Sequence, residues 1–94
     1  MVEKLSSDAV QDQLKALENW SLHEAKLNRA FKFANFVEAI GFITRAAIEA
    51  EKMDHHPEWC NDYNKVNVQL TTHSAGGITE LDFALARIMD SLAT

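Results

Sequence analysis

A chain of 94 residues makes a single domain, 1–94, and at this size it buries only about 60–65% of its unfolded surface, which leaves a thin stability margin. Apolar residues form 47% of it, ample for a core, but no apolar run approaches the ~18 residues of a membrane span, which sets a membrane role aside. The net charge of −5, with its few Lys and Arg scattered among more numerous acids, argues against direct nucleic-acid binding, which needs clustered cations.

The opening Met1-Val2-Glu3-Lys4-Leu5 has no apolar stretch behind a basic start, so no secretory signal is expected. Cys60 is the only cysteine; no internal disulfide is possible, and a reducing, cytoplasmic setting fits.

Ser7 followed by Asp8 predicts a helix start, because the hydroxyl can cap free amides and the acid suits the positive helix end. Val10, Leu14 and Leu17 then recur at helical spacing, carrying the helix to about Glu18. Trp20 to Leu22 and Leu27 to Phe33 read as two strands, with Phe31 and Phe33 flanking Lys32 in the alternation of a half-buried sheet.

Asn35, with Glu38 three places on, predicts a capping box opening the second helix. Its apolar stripe reads as Phe36, Ile40, Ile43, Ala47 and Ala50, through about Met53, with Pro57 as the terminator. Extended segments follow at Glu58 to Asn61 and Lys65 to Thr72; in the latter, Val66, Val68 and Leu70 alternate with polar residues. Gly76-Gly77 predicts a turn. Thr79 and Asp82 form a second capping box, opening a helix with the stripe Leu81, Leu85, Ile88 and Leu92. The sum is an α+β fold, α-β-β-α-β-β-α, with three helices on one face of a four-stranded antiparallel sheet. The other face is expected to be polar or to pair with another subunit.

Chemistry centres on His55, His56 and His73. Adjacent histidines at a helix end and a proline turn point in different directions and can bracket a ligand. The carbonyls of the helix end and Glu51, four residues before His55, both favour a protonated ring there, hence a usable general acid. His73 lies just past a strand end, where a loop sits on rigid support. The plainer reading is a solvated His-His cap with Glu51 as a surface charge, and Asp82 is explained by its capping box alone. Trp20 and Trp59 read as core or sheet residues, and Cys60 as an inert small hydrophobe. Three histidines could hold zinc, but neighbouring histidines converge poorly on one ion and no H-E-x-x-H pattern is present, so acid–base work ranks above a metal.

The segment Glu51-Lys52-Met53-Asp54-His55-His56-Pro57-Glu58-Trp59 resembles the pterin-4a-carbinolamine dehydratase family. So do Tyr63 to Val66, Leu70-Thr71-Thr72-His73, Gly77-Ile78-Thr79 and Asp82, and the likeness extends to Trp20 and Phe42 to Ala46. The resemblance implies dehydration of 4a-hydroxytetrahydropterin, left by aromatic amino acid hydroxylases, to the quinonoid dihydropterin, with no cofactor or metal. It places the three active-site histidines on His55, His56 and His73, and ring binding on Asp54 to His56 and on Thr71, Thr72, His73 and Ser74. Supporting acids fall on Glu51 and Asp82. An arginine that some members carry before that last aspartate is Leu81 here. The family also implies a homodimer or homotetramer. An animal member serves as a dimerisation cofactor for a homeodomain transcription factor, so a protein partner is the second functional expectation.

Overall fold

The computed structural model describes residues 2–94. The element order is α1 (Ser7–Leu14), β1 (Ser21–His23), β2 (Lys26–Lys32), α2 (Phe36–Lys52), β3 (Glu58–Asp62), β4 (Lys65–Leu70) and α3 (Glu80–Leu92). A single 3₁₀ turn, His73–Ala75, lies between β4 and α3. The sheet is antiparallel in the order β1-β2-β4-β3. This is the expected α-β-β-α-β-β-α arrangement.

The strand pattern explains the two faces. Leu27 and Phe31 of β2 and Val66, Val68 and Leu70 of β4 are buried, because successive side chains leave a strand on opposite sides. They meet Ala39, Phe42, Ala46 and Ala50 of α2 and Phe83, Leu85, Ala86 and Met89 of α3. Phe42 sits 4.7 Å from Phe31 and 5.0 Å from Phe33, centroid to centroid, and joins the helix to the sheet. Full burial of one such ring contributes about 1.5–3 kcal/mol. The opposite face carries Asn28, Asn67, Gln69, Lys65 and Glu58.

Both hairpins turn in two residues, Glu24-Ala25 between β1 and β2 and Tyr63-Asn64 between β3 and β4. Glu24, Ala25 and Tyr63 have positive φ (52°, 61° and 53°), the hand that matches the twist of paired strands.

Several details differ from the sequence reading. The α1 cap is Ser6, whose hydroxyl accepts from the Ala9 amide, and the helix stops at Leu14 instead of Glu18. In α2 the buried stripe is Ala39, Phe42, Ala46 and Ala50, whereas Phe36, Ile40 and Ala47 face out. In α3 it is Phe83, Leu85, Ala86 and Met89, with Leu81, Ile88 and Leu92 only half-buried. Asn35 caps α2 as expected by accepting from the Glu38 amide, but the reciprocal bond from the Glu38 side chain that would complete a box is not among the hydrogen bonds of the described residues. Cys60, read as an inert hydrophobe, is exposed on β3.

Candidate active site

The site is built where α2 ends. Met53 closes the helix, and Asp54 then adopts the left-handed conformation (φ 50°). The Asp54 amide donates to the Glu51 carbonyl at 3.1 Å and the His55 amide to the Ala50 carbonyl at 3.0 Å. This pair of reversed bonds is a Schellman turn, with Asp54 in the position glycine usually takes. The turn ends the helix three residues ahead of Pro57. It leaves His55, His56 and Pro57 outside any helix and leading into β3.

The adjacent imidazoles then part, one buried and the other exposed. His55 turns inward and is buried. Its Nε2–H donates to Asp82 Oδ1 at 2.6 Å. Asp82 is fully buried at the start of α3, where its second oxygen completes the capping box by accepting from the Thr79 amide at 2.9 Å. That oxygen also accepts from the Thr72 hydroxyl at 2.8 Å. The Thr72 and Thr79 hydroxyls are themselves 2.8 Å apart. One carboxylate therefore ties together the end of α2, the end of β4 and the start of α3. No buried side-chain nitrogen or oxygen among the described residues lacks a hydrogen-bond partner. His55 Nδ1 has no hydrogen-bond partner among the described residues.

His56 turns outward, and its Nε2–H donates to Glu51 Oε1 at 2.8 Å with both side chains exposed. Glu51 is thus the partner of His56, not of His55 as the helical spacing suggests. The spacing rule holds only inside a helix, and the left-handed Asp54 breaks the helix before His55 is reached.

His73 opens the 3₁₀ turn, which Gly76 closes at φ 78°. The loop is held by the Thr72 amide donating to the Gly77 carbonyl at 2.9 Å and the Leu5 amide donating to the Ile78 carbonyl at 2.8 Å. His73 Nε2 lies 3.5 Å from Glu58 Oε1. The sheet register sets Glu58 opposite Gln69, which brings the 55–57 segment alongside Thr71 to His73. Thr71 is half-buried there, and Ser74 is exposed in the turn.

Each of the three histidines thus has its own carboxylate: Asp82, Glu51 and Glu58. No spacing in the sequence points to Glu58, whose carboxylate also pairs with Lys26 Nζ at 3.0 Å. The Lys26 ammonium, with a smaller contribution from His73, holds the Glu58 carboxyl below its ordinary value, against a weaker upward push from burial. The fully buried Thr79 hydroxyl is legible only as a cap. The remaining elements serve as frame. Trp20 donates from its ring nitrogen to Asp90 at 2.7 Å, and Arg29, stacked 4.0 Å over Phe31, pairs with the same carboxylate.

Comparison with known proteins identifies the family and the fold. The family model described as pterin 4 alpha carbinolamine dehydratase matches residues 3–92. A Rhizobium johnstonii protein with the provisional name pterin-4-alpha-carbinolamine dehydratase is 54% identical over 94 residues, covering 98% of this chain and 93% of its own. A Solibacter usitatus protein with the same provisional name is 50% identical over 93 residues, covering 99% and 98%. The crystal structure of a transcriptional coactivator/pterin dehydratase from Brucella melitensis superposes with a TM-score of 0.95 at 45% identity, covering 98% of this chain and 100% of that one. Motif, fold and whole-length similarity converge, and the chain belongs to the pterin 4 alpha carbinolamine dehydratase family of hydro-lyases.

Proposed function

We propose that this protein dehydrates 4a-hydroxytetrahydropterin to quinonoid dihydropterin and water by acid–base catalysis from His55, His56 and His73. The reaction breaks the bond between the ring carbon and its hydroxyl. A proton goes to the departing oxygen, a ring nitrogen pushes electrons into the ring, and that nitrogen loses its own proton. Hydroxyl and proton together leave as water, so the step needs one donor and one acceptor and no oxidant. Each such proton transfer is worth roughly 10²–10⁴-fold when a side chain is in place.

The observation that carries the reading is the buried His55–Asp82 pair at 2.6 Å, whose carboxylate also holds Thr72. An ionised carboxylate only accepts, so it fixes the proton on His55 Nε2 and leaves Nδ1 as the working nitrogen. His55 or His56 delivers the proton and His73 is the partner. Asp54 and the Thr71–Thr72 backbone hold the ring, Ser74 borders it, and Glu51 orients His56. The reaction would recycle the pterin for aromatic amino acid hydroxylation in the cytoplasm. The test is His73→Ala and His56→Ala: a loss of roughly 10²-fold or more in dehydration rate is expected. Rates within about threefold of the parent would contradict the assignment, since that is far less than one transfer contributes.

A homodimer or homotetramer is part of the same reading. It is supported by the outward apolar stripe of α2, where Phe36 is 49% exposed, Val37 74% and Ile48 53%, and by the free edges of β1 and β3. The same stripe supports a second reading, a protein-binding role. The Brucella melitensis relative's description as a coactivator favours it. Carbinolamine turnover no faster than in buffer, together with a specific co-purifying protein, would make that reading the better one.

A further inference from the structure

We propose that Glu58 is the positioning residue for His73, and that Lys26 sets how much of its carboxylate is free for that task. The inference rests on the reading that His73 acts in the dehydration. Three separate elements meet at one oxygen. Lys26 Nζ, from the start of β2, lies 3.0 Å from Glu58 Oε1, and His73 Nε2, from the 3₁₀ turn, lies 3.5 Å from the same atom. Of the two residues, only Glu58 has a rigid base. Its backbone is locked in the β3–β4 ladder opposite Gln69, whereas His73 stands 78% exposed at the start of a three-residue turn.

An exposed ring on a short turn samples several rotamers, and only some of them aim a nitrogen toward the His55–His56 segment. A carboxylate on a strand can select among these rotamers, because it accepts a hydrogen from Nε2 and leaves Nδ1 free. The 3.5 Å separation is longer than a hydrogen bond, and such contacts in an unliganded enzyme often tighten when substrate arrives. The charged groups that act on Glu58 are Lys26 and His73. Both donors draw on the electron density of one oxygen, so the nearer Lys26 ammonium weakens the acceptor that His73 reaches.

That competition separates positioning from a surface ion pair. In a plain pair, removing either partner acts in the same direction. Here Glu58→Ala should free the His73 ring and lower kcat roughly two- to fivefold, the range for one exposed charged contact, with little change in KM. Lys26→Met should tighten the ring and leave kcat equal to the parent's or higher. Glu58→Gln keeps an acceptor oxygen and should recover part of the loss.

Ring mobility read from ¹³C relaxation of His73 gives a measure that needs no turnover. It should rise in Glu58→Ala and fall in Lys26→Met. Mobility unchanged in both variants, or shifted the same way in both, overturns the proposal. Mobility shifting in opposite directions while kcat stays fixed supports the positioning, and counts instead against His73 as a catalytic residue.

Discussion

His55 and His56 are consecutive, and each donates to a carboxylate at nearly the same distance, 2.6 and 2.8 Å. Their surroundings could hardly differ more. The His55 side chain is 8% exposed against a fully buried Asp82, whereas His56 and Glu51 are 59% and 79% exposed. Distance alone would rank the pairs as equals, but burial does not. The Asp82 carboxylate has three hydrogen bonds to lose, from His55 Nε2, the Thr72 hydroxyl and the Thr79 amide, and no water to replace them. Glu51 has one, with solvent at hand. The first pair ties three elements of the fold together, and the second stands in solvent.

Three substitutions bear on that contrast. Asp82→Ala leaves a buried imidazole and a helix start without their acceptor, and should cost about 3–5 kcal/mol in urea unfolding. Glu51→Ala should change stability by less than about 1 kcal/mol, and salt should erase most of even that. Equal losses from the two would break the comparison. Next in size is the turn that sends the two rings apart. Asp54→Gly removes the cost of a left-handed non-glycine residue and should raise stability by about 0.5–1 kcal/mol. A thermal melt that moves downward instead would show that the Asp54 side chain holds the turn.

The smallest effect concerns the third pair and depends on pH. Glu58 titrates below its ordinary 4.5 in the folded protein, chiefly because of Lys26. Its contribution is therefore complete above that ordinary value and is lost as pH falls through the lowered one. The parent should exceed Glu58→Gln slightly in stability at neutral pH, and the two should converge in acid. A gap that widens in acid would reverse the sign.

What was legible in the sequence was what depends on local spacing. The alternation Val66, Val68, Leu70 located a half-buried strand, because that period is fixed by the pleat. Thr79 and Asp82 announced their cap, because both halves lie within one turn. The helical stripes of α2 and α3 came out rotated by about one position. Hydropathy favours Phe36 and Ile40, but the sheet-facing side of α2 uses small Ala39, Ala46 and Ala50 around Phe42. An apolar residue on a helix does not announce which face it covers. Strand alternation does not reveal partners either. Asp82 reaches His55 across 27 positions, and Lys26 is brought to Glu58 only by the sheet order. The cap and the three histidines were visible; the carboxylate that each ring uses was not.

Dehydration is the activity on which every role proposed for the histidines rests. Enzymatically generated 4a-carbinolamine, followed by absorbance with and without this protein, should disappear far faster in its presence, and His55→Ala should abolish most of that gain. Decay at the buffer rate in the presence of folded parent protein would contradict the proposed chemistry.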